Sequence, residues 1–194
     1  MYKGVFYVKN KKLMFFYIFL AIYILGLFVG TFSQIYDKNQ ADMYEYLKSA
    51  ISVYEVSAKE SIKGVFRENL KIILIILISG FFKISPFVSG GVIFIKGYTL
   101  GFATSAALRL FGISGLLLCG ANFLSAMFLI PAIVIFGVFN IDNIRYNLDD
   151  KKAFLKTYLV LSIFLLIIFG ADTVLRGALS SLFIKFSSSI LIGG

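Results

Sequence analysis

The chain has 194 residues, of which 59% are hydrophobic and 15% are charged, and its formal net charge is +9. A soluble domain of this length could not bury so much apolar surface in one core, so the composition indicates an integral membrane protein. Histidine is absent, which excludes a histidine general base and histidine ligands to zinc or haem. No basic patch with interleaved aromatic residues lies outside the apolar segments, so we expect no nucleic-acid partner.

The first predicted element is a membrane span at residues 13–32. It has no charged residue, and twenty residues at about 1.5 Å each suffice to cross a hydrocarbon core of ~30 Å. Four lysines precede this segment, as in a signal sequence. The apolar run is longer than the core of a usual signal peptide, and no small-x-small cleavage site follows it, so we predict an uncleaved span.

Residues 37–69 predict a long amphipathic helix on the outer side of the membrane. Apolar residues recur there at steps of three and four, and charged residues occupy most of the opposite face. Such a helix could cover its own bundle, dock another protein or sense lipid. The docking hypothesis rests on apolar residues of this helix, namely Met43, Tyr46, Leu47, Ile51, Tyr54 and Ile62.

Four further spans are predicted at approximately residues 70–88, 91–108, 116–138 and 154–171. Lys83, Pro86 and Gly90 interrupt the second and third, which allows either a helical hairpin or two broken half-helices. Asp172 closes the last span at the outer boundary, within reach of water, and the tail that follows is predicted to be an interfacial helix. The expected fold is an all-α integral membrane protein. Its single domain, residues 1–194, holds five transmembrane helices plus the outer amphipathic helix.

The distribution of basic residues predicts the orientation. Lysine and arginine concentrate before the first span and between the fourth and fifth, and cytoplasmic loops carry that excess in membrane proteins. We therefore expect a cytoplasmic N-terminus and an outer C-terminus.

Lys96 is the basic residue that needs an explanation, because a lysine within a span is costly. A span that starts near residue 91 would place Lys96 about one turn from the cytoplasmic end, where its side chain could extend to the headgroups. A role in the interior of the bundle and a role in transport are the alternatives.

Two Gly-x-x-x-Gly pairs favour close helix packing, Gly26 with Gly30 and Gly97 with Gly101. Glycine at this spacing lets two backbones approach in lipid, where packing must drive association. Packing within the chain is the favoured interpretation, and self-association or contact with a partner are the alternatives. The candidate packing residues are Gly26, Gly30, Asn69, Lys96, Gly97, Gly101, Ser105 and Pro131.

No pattern in the sequence points to catalysis. Cys119 lies in an apolar run and is best interpreted as a small buried residue. Metal-ligand clusters, phosphate-binding loops and paired catalytic groups are not apparent in the sequence. We therefore expect a protein that is not an enzyme, without catalytic residues, cofactor or metal.

The order of these features resembles the stage II sporulation protein M family. The resemblance covers nearly the whole chain, and its motifs are Phe66-Arg-Glu-Asn69-Leu70, Lys96-Gly97-Tyr-Thr-Leu-Gly101-Phe102 and Ile130-Pro131-Ala132. The chain departs from the family pattern where it carries Ser125 before the Ile-Pro pair and Asp172 in place of a glutamate.

The resemblance implies a function in endospore formation. It implies a mother-cell membrane protein that anchors two peptidoglycan-degrading enzymes, the stage II sporulation proteins D and P, at the sporulation septum during forespore engulfment. A small transporter or permease subunit is the alternative, because such proteins use interrupted spans and buried charges.

Overall fold

The computed structural model describes residues 2–36, 58–82, 84–145 and 151–192. Within these ranges the chain is helical throughout and contains no strand, which confirms the predicted all-α class. The five described helices are α1 (Tyr2–Tyr36), α2 (Ala58–Ser79), α3 (Ser85–Phe111), α4 (Ile113–Arg145) and α5 (Lys151–Ile192).

Four of these helices are long and apolar enough to cross a membrane, as a multi-pass protein requires. Their candidate spans are Leu13–Tyr36, Ser85–Arg109, Asn122–Ile141 and Leu155–Leu179. Helix α2 does not meet the same criterion over its described residues, because lysine, arginine and glutamate occupy much of its first half.

The region of the predicted second and third spans is a pair of helices joined by a turn. Helix α2 runs without a break past Asn69, the predicted junction between the outer helix and the second span, and it ends at Ser79. Pro86 stands in the first turn of α3, a position that tolerates proline because the missing N–H has no helical acceptor there. These two elements are therefore continuous helices.

Helices α1 and α3 pack side by side in parallel. Thr31 on α1 lies against Gly101 on α3, and Gln34 accepts a hydrogen bond from Ser105. Residue numbers therefore rise together along the two helices. The chain must return across the bundle between them, and α2 is the described segment that runs back.

Helices α2 and α5 pack antiparallel. Ile62 lies against Gly177, Asn69 meets Asp172, and the hydroxyl of Tyr158 donates to the carbonyl of Leu77. The pairing therefore extends along nearly the whole candidate span of α5.

A glycine turn joins α3 to α4, which pack antiparallel. Gly112 has a φ of 60°, a conformation that favours glycine, and its N–H donates to the carbonyl of Leu108 at 2.8 Å. At the other end of this helix pair, Asn140 donates to the hydroxyl of Ser85. The bundle thus has an N-terminal side, where α1 begins, and an opposite side, where α1 ends and α2 begins.

The core is apolar and lies toward the N-terminal side. Phe19, Ile76, Ile93, Ile133 and Phe136 are buried there. Large apolar side chains also face outward from the helices, which would be unfavourable in water and is favourable in lipid.

Candidate functional site

Three charged side chains from three helices form one cluster of ion pairs. The Lys96 ammonium on α3 lies 2.9 Å from Oε1 of Glu68 on α2, and an Arg176 guanidinium nitrogen on α5 lies 3.0 Å from Oε2. The side chains of Lys96 and Arg176 are 14% and 19% exposed, whereas that of Glu68 is 50% exposed. We call these residues the ion triad. One carboxylate therefore bridges two cations.

The structure corrects the expected depth of Lys96. Helix α3 begins at Ser85 rather than near residue 91, so Lys96 lies about three turns into the helix and close to the middle of the candidate span. Its ammonium pairs with Glu68 instead of extending toward the N-terminal end of α3. The side chain therefore has a role in the interior of the bundle.

Asn69 and Asp172 form a buried polar contact directly beside the ion triad. The Asn69 amide donates to Oδ2 of Asp172 at 2.8 Å and to the hydroxyl of Thr173 at 3.0 Å. Asn69 and Asp172 are only 2% and 3% exposed. The expectation that Asp172 reaches water at the outer boundary is therefore wrong, because α5 continues past it and α2 covers it.

Among the described residues, two buried oxygens of this contact have no hydrogen-bond partner, Oδ1 of Asn69 and Oδ1 of Asp172. A buried acceptor that lacks a partner destabilises the fold by roughly 1–3 kcal/mol. The polar contact between α2 and α5 is therefore only partly satisfied within the part of the chain that the structure describes.

A cavity of about 270 Å³ opens beside the ion triad. Helices α2, α3, α4 and α5 all contribute to its wall. Besides the three charged side chains, the polar residues Thr99, Asn122 and Ser125 line it. The cavity is therefore a partly open space in which these polar side chains share a mostly apolar wall.

The four glycines of the two Gly-x-x-x-Gly pairs lie at the contact between α1 and α3. A Cβ built on Gly26 or Gly30 would overlap carbonyl oxygens of α3, and one built on Gly97 or Gly101 would overlap carbonyl oxygens of α1. The two backbones therefore touch. Ser105 extends the same row by its bond to Gln34 at 3.2 Å.

Two further predicted residues lie away from the ion triad. Pro131 lies inside α4 on an exposed face, while the neighbouring Ile130 lines the cavity. Ile62 is half-buried and packs against Gly177, so it contributes to the contact between α2 and α5. The other five predicted docking residues, Met43, Tyr46, Leu47, Ile51 and Tyr54, lie outside the described residues.

Sequence reasoning missed Glu68 and Arg176 as partners of Lys96. The signal was available, since each is a charged residue near a long apolar run. Their pairing was not readable, because 108 positions separate Arg176 from Glu68. Over the described ranges, no group of three histidine, cysteine, aspartate or glutamate side chains could hold a metal ion.

Comparison of the chain with models of protein families, with curated proteins and with solved structures found no match.

Proposed function

We propose that this chain is a non-enzymatic membrane scaffold that anchors and positions peptidoglycan-degrading partners at the sporulation septum during forespore engulfment. The proposal starts from the resemblance to the stage II sporulation protein M family, whose partners are the stage II sporulation proteins D and P. A scaffold in the mother-cell membrane confines its partners to a plane and raises their effective concentration at the septum.

One observation carries the proposal: the motif residues on which the resemblance mainly rests lie at contacts between helices. Asn69 binds across to α5, Lys96 binds across to α2, and Gly97 and Gly101 touch α1. Each of these residues joins two helices. Motif residues that hold helices together fix the positions of the surfaces on those helices. Fixed surfaces are what a scaffold needs to bind its partners.

The proposal includes five membrane spans. Four are the long apolar helices, and the fifth is α2, which is too charged to be recognised by length and hydropathy. Helix α2 follows α5 from Gly177 down to Tyr158, which is nearly the length of the candidate span Leu155–Leu179. A helix that accompanies a span over this length crosses the same membrane. Its charged first half has partners in Lys96 and Arg176.

The proposal also places the N-terminal side of the bundle in the cytoplasm and the C-terminus outside. The N-terminal lysines, Arg145 and Lys151 lie on the N-terminal side, as the positive-inside rule requires. The opposite side then faces the cell wall. It carries the start of α2 and the end of α5, and we expect the predicted outer helix to complete the docking surface there.

A pull-down experiment tests this docking surface. Tyr46→Glu, Ile51→Lys and Tyr54→Glu, combined in the full-length protein, should abolish co-purification of the two hydrolases. The physical reason is that a charged side chain cannot be buried in an apolar interface without a large desolvation cost.

The matched control reverses charges on the opposite face of the same predicted helix, with Lys48→Glu and Glu55→Lys, and should leave the pull-down unchanged. Correct insertion is checked with a membrane-impermeant maleimide on a single cysteine introduced at Ser188 in a Cys119→Ser background. Full recovery of both hydrolases by the triple variant would refute docking at this face.

The alternative, a small transporter or permease subunit, is favoured by the cavity beside the ion triad. Such a protein needs a polar space and buried charges between its spans, and Lys96 lines this one. Solute flux into proteoliposomes that disappears in Lys96→Ala would establish the alternative. The scaffold proposal expects no flux in either protein.

A further inference from the structure

The cavity beside the ion triad carries a net positive charge. Lys96 and Arg176 share the one carboxylate of Glu68, so the charged groups that line the cavity sum to +1. Asp172 lies one helical turn before Arg176, but it bonds to Asn69 and does not line the cavity. The lining itself therefore carries one more cation than anion, which favours an anionic ligand.

Most N–H groups of the two cations have no acceptor among the described residues. Each cation contacts Glu68 through a single nitrogen, whereas an ammonium has three N–H groups and a guanidinium has five. The amide of Asn122 and the hydroxyl of Ser125 line the same cavity. The wall therefore offers both positive charge and neutral donors to an incoming acceptor.

The cavity is open to a group that approaches from outside the bundle. Its two cations come from different helices, Lys96 from α3 and Arg176 from α5, and both reach Glu68 on α2. The Glu68 side chain is half exposed, so the cavity opens to the outside of the bundle there. Its volume of about 270 Å³ corresponds to roughly nine water molecules at ~30 Å³ each.

We propose that this cavity binds a phosphate group through Lys96 and Arg176. Arginine and lysine are the usual ligands of phosphate oxygens, and their charge-assisted hydrogen bonds are the strong ones. The phosphate belongs either to an anionic lipid headgroup or to a free phosphate ion. In both cases Glu68 holds the two cations together and lowers affinity by repelling the anion. This proposal can fail without the docking proposal failing, because phosphate binding and the pull-down of hydrolases are measured separately.

The test uses purified full-length protein in detergent. Native mass spectrometry measures binding of phosphatidylglycerol, with phosphatidylcholine of the same acyl chains as the zwitterionic comparison, and calorimetry measures binding of inorganic phosphate. Lys96→Gln and Arg176→Gln should each weaken binding about tenfold or more, because each removes a charge-assisted bond. Glu68→Gln should strengthen binding severalfold, since it removes the negative charge and keeps an oxygen acceptor.

The opposite sign of the Glu68 and Lys96 effects distinguishes a binding site from a purely structural ion pair. Arg109→Gln is the matched control. It removes an exposed arginine on α3 that bonds the carbonyl of Ile35 and does not line the cavity, and it should leave binding unchanged. Arg176→Lys keeps the charge and provides a second measurement if Arg176→Gln does not fold.

Preference for phosphatidylglycerol over phosphatidylcholine identifies the lipid as the source. If inorganic phosphate binds with the expected order of affinities among the variants, and neither lipid is preferred, the ligand is the free phosphate ion. Equal binding by all variants overturns the proposal. A loss of affinity in Glu68→Gln as large as that in Lys96→Gln overturns it as well.

Discussion

The contacts of α1 with α3 and of α2 with α5 hold their helix pairs together by different means. Between α1 and α3, four glycines allow the backbones to touch. Between α2 and α5, Asn69 and Glu68 bind polar side chains across the interface. In lipid, apolar side chains gain little by leaving their surroundings, so helices associate through close packing or through polar bonds. This protein uses each means in a different place.

The largest effect is expected at the glycine contact. Gly101→Leu would place a side chain where carbonyl atoms of Leu27 lie, and overpacking against backbone that cannot move should destabilise the bundle by about 3 kcal/mol or more. Unfolding by SDS in mixed micelles measures the loss.

Gly91→Leu is the matched control on the same helix, because a Cβ there meets nothing within 4 Å. It should leave the unfolding midpoint unchanged. Equal destabilisation by the two variants would show that the glycines do not set the distance between α1 and α3.

An intermediate effect is expected at the polar contact between α2 and α5. Asn69→Leu removes the donor to Asp172 and Thr173 and leaves a buried carboxyl without that partner. The expected loss is about 1–3 kcal/mol. The double variant Asn69→Leu with Asp172→Leu should recover part of this loss, because both polar groups are then gone. Additive losses in this cycle would contradict a direct coupling between the two side chains.

The smallest effect on stability is expected at the ion triad. Glutamine at position 176 still offers N–H donors to Glu68, and Lys96 still pairs with that carboxylate, so the expected loss is about 1 kcal/mol. Arg176→Gln should therefore shift the SDS unfolding midpoint less than Asn69→Leu does. A shift as large as that of Gly101→Leu would instead make the triad a principal support of the fold.

The two contacts also differ in how far the sequence predicts them. The all-helical class and a multi-pass membrane protein followed from composition and hydropathy. The structure confirms the first over the residues that it describes, and its four long apolar helices are compatible with the second. The glycine spacing is visible within each helix and pointed to α1 and α3. No sequence pattern links Asn69 with Asp172, because 103 positions separate them, so the partners of α2 could not be identified.

The errors in the sequence analysis have a common physical origin, which is that a local pattern does not show what a neighbouring helix supplies. Pro86 and Gly90 predict interruptions, but proline fits the first turn of α3, and the helix runs through the glycine. The predicted start of the span near residue 91, and with it the shallow depth of Lys96, is wrong for this reason. Likewise, Asp172 predicts the end of a span because a carboxyl is costly in lipid, whereas α2 shields it from lipid with Asn69.

The parallel contact of α1 with α3 has a consequence for biosynthesis. The ribosome makes α1 first, yet its partner Gly101 lies 70 positions after Thr31, and Asp172 emerges still later to meet Asn69. A nascent chain halted after α2 would therefore hold two helices, neither of which has met its principal neighbour. Assembly of the bundle must wait for the C-terminal helix to leave the translocon, so a truncated product should be recognised and degraded by membrane quality control.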